Sequence, residues 1–244
     1  MSFIHLTPIA KKAFRSLPPT VQKPLRATYR IRRRIRLRKT RMVTEPEIVG
    51  DLAEMDVRPG DLLFVHSSMS SIGRVQGGPN TVIDAILKAV GPTGTLVMPA
   101  FSMPYGSMVD TLERGEIFDP ANTPSTIGLI PETFRRRRGV KRSVHPTSSI
   151  CAFGAKADLI VEGTSTYPSD FGVGTPLYKI MEHEGKILGL GVDLGPVSFY
   201  HVIEDVLGEQ FPIKVRLDKV YNAKVIKDGQ LSIMPIRPFD PEVA

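Results

Sequence analysis

The clearest pattern in the chain runs from Gly60 to Ser102, where continuous apolar runs flank one amphipathic stripe. Leu62, Leu63, Phe64 and Val65 form an unbroken apolar run, as a strand covered on both faces does. Polar and small residues follow at once: His66, Ser67, Ser68, Ser70 and Ser71, then Gly73, Gly77 and Gly78. From Thr81 to Val90 the apolar residues Val82, Ile83, Ile86, Leu87 and Val90 recur at helical spacing, with Asn80 as the expected cap. Gly91-Pro92-Thr93-Gly94 ends that helix, and Thr95 to Met98 reads as a second buried strand. The pattern is a βαβ unit with its polar residues at the carboxyl end of a strand, where open α/β sheets bind ligands. Small hydroxyls and glycines there let backbone N–H groups approach a phosphate. The stretch is neither a G-x-G-x-x-G fingerprint nor a Walker A loop, so an ordinary Ser/Gly connection stays open beside ligand binding.

The same reading extends along the chain. Thr44 opens a helix with Pro46 in its first turn and Glu47 three residues after the cap, reaching about Met55. Met103 to Thr126 is a long irregular stretch holding Asp110, Glu113, Glu116 and Asp119, and loops of that length are often functional. Thr126 to Arg135 is expected to be a helix with Ile127, Ile130 and Phe134 on one face. Val144-His145-Pro146 holds a histidine in extended backbone, because the residue before proline is pushed out of the helical region. Ala155 to Val161 reads as a short helix, and Thr175-Pro176 as the start of another after the turn Phe171-Gly172-Val173-Gly174. Lys186 to Val192 is a further strand, and Ser198 is the expected cap of a helix carrying His201, Glu204 and Asp205 within one turn. Residues 213–236 alternate and turn at Asp228-Gly229 as a hairpin does.

Several of these segments resemble one known family. VHSSMSSIGRVQGGPNTVIDAI with VGPTGTLVMPAFS, then SVHPTSSICAFGAKA, then FGVGTPLYKIMEHEGKILGLGV with SFYHVIEDV are similar to the aminoglycoside 3-N-acetyltransferases, over about residues 47–215. The resemblance implies an α/β fold, a three-layer α/β/α sandwich with a central mixed sheet, and acetyl-CoA as co-substrate. It implies a small-molecule amino-sugar acceptor and places His145 at the chemistry. It also places the 103–126 region on the acceptor side of the cleft, where its carboxylates would pair with a protonated amino sugar. Many members carry an acid in the glycine turn where this chain has Val173, which leaves Asp170 to compensate and points toward a related amino sugar rather than a free antibiotic. Members commonly continue with further helix and strand after the hairpin, so the expectation is either a less protected edge there or a partner that covers it.

Composition changes this picture at one end of the chain. The net charge is +7, yet residues 23–41 hold ten Lys/Arg and no acid, which leaves −3 for the rest. Residues 1–43 therefore read as a basic arm preceding an acetyltransferase-like domain, 44–244. Leu25, Tyr29, Ile31 and Ile35 recur among the arginines as a modest apolar stripe, suited to an anionic membrane surface. Nucleic acid is disfavoured, since the arm lacks a recognition motif and interleaved aromatics. A solvated tail is the plain alternative. A second basic cluster spans Arg135 to Arg138 with Lys141 and Arg142. The single cysteine, Cys151, excludes an internal disulfide. No apolar run reaches membrane-span length and no signal core is present, so a cytoplasmic location is expected, peripheral to the membrane through the arm. Oligomerisation is left open.

Acetyl transfer to an amine needs a base for the amine proton, donors for the oxyanion and a leaving thiolate. No metal and no protein nucleophile are required, and Cys151 sits in an apolar run that suits packing. The candidate catalytic residues are His145, His201 and Glu204, histidine being suited to proton transfer near neutral pH. His145 is the first candidate for the base, with His201 and Glu204 as the orienting or second base pair; the alternative is His201 as base with Glu204 orienting it. The candidate cofactor-binding residues are His66, Ser67, Ser68, Met69, Gly73 and Ser149, His66 shaping the loop. His5 and His183 have no chemical company in the sequence.

Overall fold

The computed structural model describes residues 18, 20, 21, 24, 41–162 and 169–243. The expectations for the basic arm fall on residues 1–43 and lie almost wholly outside the described residues. The chain divides into units 1–42 and 43–244, and all that follows concerns the second.

Helix α1 (Glu45–Glu54) starts where Thr44 predicts. The Thr44 backbone N–H donates to Glu47 Oε2 at 2.8 Å, the backward half of a capping box. Strand β1 (Leu62–Ser67) follows, with five of its six residues buried. A single helical turn α2 (Met69–Ile72) leads through the glycines to α3 (Pro79–Val90). The start of α3 corrects the expected cap: Gly78 holds that position and Pro79 is the first helical residue. Asn80 Oδ1 instead accepts from Arg137 Nη2 at 2.9 Å. Strand β2 (Thr95–Pro99) is buried throughout, and α4 (Met108–Glu113) interrupts the long irregular stretch. Helix α5 (Leu129–Arg135) starts later than expected, behind Gly128. Strands β3 (Lys141–Arg142) and β4 (Ile150–Gly154), helices α6 (Ala157–Val161) and α7 (Pro176–Glu182), and strand β5 (Lys186–Leu190) follow. Helix α8 (Tyr200–Leu207) and the hairpin β6 (Tyr221–Lys227) and β7 (Gln230–Ile236) complete the unit.

The central sheet has the order β3-β4-β2-β1-β5. β1 runs parallel to β2 and β5, while β4 is antiparallel to β2 and β3 to β4, so the sheet is mixed as expected. Successive strand residues point to opposite faces. Leu63, Val65, Leu96, Met98 and Cys151 therefore pack with Leu52, Ile83, Ile86 and Phe134, the layer of α1, α3 and α5. Leu62, Phe64, Val97, Ile150 and Ala152 pack with Ile160, Leu177, Ile180 and Val202, the layer of α6, α7 and α8. That alternation makes the three layers.

The hairpin turns at Asp228 and Gly229, both with positive φ (51° and 76°), as a two-residue type I′ loop requires. It forms a satellite core with Leu112 and Phe118. Among the described residues no helix is long and apolar enough to cross a membrane.

Candidate functional site

Because β4 runs against β2, its beginning meets the carboxyl ends of β1, β2 and β5 at one edge of the sheet. Pro99 pairs with Ile150, and Ala100 N–H donates to Ser149 O at 2.8 Å. Ser102 N–H donates to Thr147 O at 3.0 Å, which brings the His145 segment beside the end of β2. On the other side Ser67 pairs with Leu190, and Ser68 N–H donates to Leu190 O at 2.9 Å.

The serine and glycine turn lies at this edge. Ser68 Oγ lies 2.9 Å from Ser70 Oγ and 3.2 Å from Ser71 Oγ. Gly73, Gly77 and Gly78 all take positive φ, and the space a side chain would fill at Gly73 and Gly78 is open. Ser67 Oγ and His66 Nε2 are buried without a hydrogen-bond partner among the described residues. His145 Nε2 is a third such atom. Buried polar atoms are nearly always satisfied, so these orphans mark places where ligand groups fit, those of His66 and Ser67 on opposite faces of the strand. Burial lowers the His66 pKa to about 4, so its ring is neutral at physiological pH. Met69 packs on the core beneath the turn. Ser149 stands apart from these: its Oγ donates to Ala100 O at 2.9 Å and accepts from Arg142 Nε at 3.0 Å.

The two candidate histidines sit in different surroundings. His145 is buried, and its Nδ1 accepts from Ser148 N–H at 2.9 Å, so the neutral ring carries its proton on Nε2. Nε2 faces Asp170 Oδ1 at 3.5 Å. Desolvation lowers the His145 pKa, and the Asp170 charge opposes it. Asp170 also accepts from Ser148 Oγ and meets Arg216 Nη1 at 3.4 Å. Its side chain is 0% exposed and fully engaged, so it does not present a carboxylate in place of Val173, which is exposed.

His201 lies on α8, with Nδ1 2.6 Å from Glu204 Oε2, the contact that their spacing of three predicts. Its side chain keeps 16% exposure, against 4% for His145. Phe171, Tyr200 and Phe239 pack around the ring at centroid distances of 5.3, 4.0 and 4.3 Å. Phe64 links the two halves of the edge, with His66 at 4.9 Å and Phe199 at 5.2 Å. Asp205, on the same turn, turns instead to Phe171 N–H at 3.0 Å and to Arg216. Ser198 does not cap α8, since its Oγ donates to Pro196 O at 3.4 Å and Phe199 holds the cap position. Thr175 holds the cap position of α7, but its hydroxyl donates to Gly172 O at 2.7 Å.

The carboxylates of the 103–126 region are committed locally. Asp119 accepts from Asn122 Nδ2 and Ala121 N–H, Glu113 from Tyr221, Glu116 from Tyr105 and Asp110 from Ser107. Beside them is a shallow, open concavity lined by Ser102, Glu116, Phe118, Thr123 and Pro146 among others. Its wall depends on Arg142, which the sequence offered only as part of a basic cluster. Arg142 is largely buried, and desolvation lowers its pKa to about 10. Its donors reach Ser149 Oγ, Pro120 O, Thr123 O, Ala100 O and Ser102 Oγ, which ties the loop to the end of β2. Four others of that cluster are paired with carboxylates: Arg135 and Arg136 with Glu132, Arg137 with Asp84, Lys141 with Asp158. Arg216, Phe171 and Phe239 also escaped the sequence reading, since only non-local packing brings them to His201.

Comparison with known proteins gives this edge its context. A family model described as aminoglycoside 3-N-acetyltransferase matches residues 64–240. Aminoglycoside N(3)-acetyltransferase IV of Salmonella sp. is 34% identical over 187 residues, 76% of this chain and 65% of the relative. Aminoglycoside N(3)-acetyltransferase IX of Micromonospora chalcea is 32% identical over 216 residues, 82% of this chain and 74% of the relative. The crystal structure of aminoglycoside acetyltransferase AAC(3)-Xa superposes with a TM-score of 0.72 at 32% identity, covering 83% of this chain and 74% of that one. AAC-IIIb in a binary complex with CoASH gives 0.70 at 28% identity, covering 82% and 77%. AAC-VIa bound to sisomicin gives 0.70 at 27%, covering 83% and 78%. With serine turn, His-Pro segment and closing helix gathered at one sheet edge, this chain belongs to the aminoglycoside 3-N-acetyltransferase family.

Proposed function

We propose that this chain transfers an acetyl group from acetyl-CoA to an amine of an aminoglycoside or related amino sugar, with His201 as the base and Glu204 orienting it. The observation that carries the reading is the 2.6 Å His201–Glu204 contact, at the same sheet edge as the serine turn with its orphaned polar atoms. Relatives whose structures hold CoASH and sisomicin support both substrate classes. Ser67, Ser68, His66, Met69 and the glycines form the acetyl-CoA side. Ser149 is left out of it, because its hydroxyl serves Arg142 and Ala100.

Glu204 holds the His201 Nδ1 proton and leaves Nε2 to take the proton of the attacking amine. The amine lone pair forms the C–N bond, the carbonyl electrons move to oxygen, and their return expels the CoA thiolate. The proton held by His201 then passes to the thiolate. His145 is buried with 4% side-chain exposure and its Nδ1 accepts from Ser148 N–H, so it is withdrawn from substrate and its part is to hold Ser148 and Asp170 in place. Transfer is direct: Cys151 is fully buried, and desolvation pushes its thiol up to about 12, far from a thiolate at neutral pH.

Thiol release from acetyl-CoA across a panel of amino sugars tests the reading. His201→Gln is expected to lower turnover on the order of a hundredfold, with acetyl-CoA affinity little changed. Near-normal turnover in that variant would sink it. The basic arm, residues 1–43, is assigned to docking on an anionic membrane surface from the cytoplasmic side.

A further inference from the structure

We infer that Arg216 is a positioning residue for the His201–Glu204 pair, setting the histidine ring through the two phenylalanines that pack against it. The inference rests on His201 as the base. Arg216 makes two 2.6 Å contacts to Asp205, Nε to Oδ1 and Nη2 to Oδ2. Nη1 reaches Asp170 Oδ1 at 3.4 Å and donates to Arg237 O. Its Cζ lies over the Phe239 ring, 4.0 Å from the ring centre. Phe239 sits 4.3 Å from His201, and Phe171, whose N–H donates to Asp205 Oδ2 at 3.0 Å, sits 5.3 Å from it. One side chain therefore fixes both rings: Phe239 by stacking, and Phe171 through the carboxylate it orients. Only a planar, forked cation meets all these partners together, since a lysine ammonium is a point charge without the fork. Among the described residues the hydrogen-bond and ion-pair partners of Arg216 do not include His201 or Glu204, so its effect on the base is on placement. A displacement near 1 Å at a reacting group lowers rate by up to about a hundredfold.

The test uses the whole chain with acetyl-CoA and sisomicin, and reads the His201 ring proton resonances by NMR, which the currents of the flanking rings set. Arg216→Gln is expected to shift those resonances and to lower kcat by up to about a hundredfold, with KM for acetyl-CoA unchanged. Arg216→Lys should fall between the two. Phe239→Leu leaves the Asp205 and Asp170 pairs intact and should lower kcat in the same way, which keeps the test open should the glutamine variant not fold. Wild-type His201 resonances in the folded lysine and glutamine variants would overturn the inference, as would wild-type kcat in Phe239→Leu. Failure of the base assignment reads differently: His201→Gln would retain turnover while the Arg216 variants still shift the ring.

Discussion

Ser67 gives the most direct residue-scale test of the acetyl-CoA side. An unsatisfied buried hydroxyl destabilises the free protein by about 1–3 kcal/mol, and Ser67 Oγ is such a group. Ser67→Ala is therefore expected to leave the free protein as stable or more so by denaturant titration, yet to weaken acetyl-CoA binding by calorimetry. Loss of stability together with unchanged binding would mean the hydroxyl serves the fold alone. His66, one residue earlier, titrates in the opposite sense to a salt-bridged histidine. Its folded pKa is lowered from 6.5 to about 4, so the unfolded chain takes up a proton first as pH falls. The stability it contributes is complete above 6.5, declines between 6.5 and 4, and reaches a loss of roughly 3 kcal/mol at the lower end. Buried His145, also lowered by desolvation, adds to the same slope. Urea midpoints measured from pH 7 to 4 should fall less steeply in His66→Gln than in the parent. Parallel curves would remove burial of His66 as a cause.

At the scale of elements, the serine turn is held by its contact with the end of β5. A Cβ on Gly191, where φ is +67°, would come 3.0 Å from Ser71 Cβ, 3.1 Å from Ile72 N and 3.2 Å from Ser68 O. Gly191→Ala should push the turn outward, destabilising by about 1–3 kcal/mol and raising KM for acetyl-CoA. Gly229→Ala meets nothing within 4 Å at a similar φ of +76°, so it isolates the backbone strain and should leave that KM alone. Equal KM values in the two variants would uncouple the turn from β5. This scale also separates what the sequence shows from what it hides. Strands β1 and β2 are legible because a strand buried on both faces leaves a continuous apolar run, and the hairpin because Asp228-Gly229 demands positive φ. The helix starts shift where a side chain finds a distant partner, as Asn80 does in Arg137 across 57 residues. His201–Glu204 is readable because a helix fixes spacing locally. Arg142 and Arg216 are not, since their partners lie on segments that only the fold brings together.

At the scale of the whole molecule, the chain is electrostatically two objects. Residues 23–41 carry ten positive charges, and the remainder sums to −3. Within the folded unit Arg135, Arg136 and Arg137 are paired with carboxylates. Near an anionic bilayer each Lys or Arg contributes roughly 1 kcal/mol before ordering is counted. With half of the ten well placed, several kcal/mol would remain, enough for the reversible docking proposed for the arm, and Leu25, Tyr29, Ile31 and Ile35 would add a shallow apolar contact. The attraction is screened within about 8–10 Å at physiological salt. Removing residues 1–43 should abolish sedimentation with phosphatidylserine vesicles while turnover on a dissolved amino sugar stays close to that of the full chain. Vesicle binding by the full chain should fall steeply as salt rises. Indifference of the full chain to anionic vesicles at low salt, or equal binding by the shortened one, would remove the arm from this role. Preferential capture by duplex DNA at physiological salt would reassign its charge to nucleic acid.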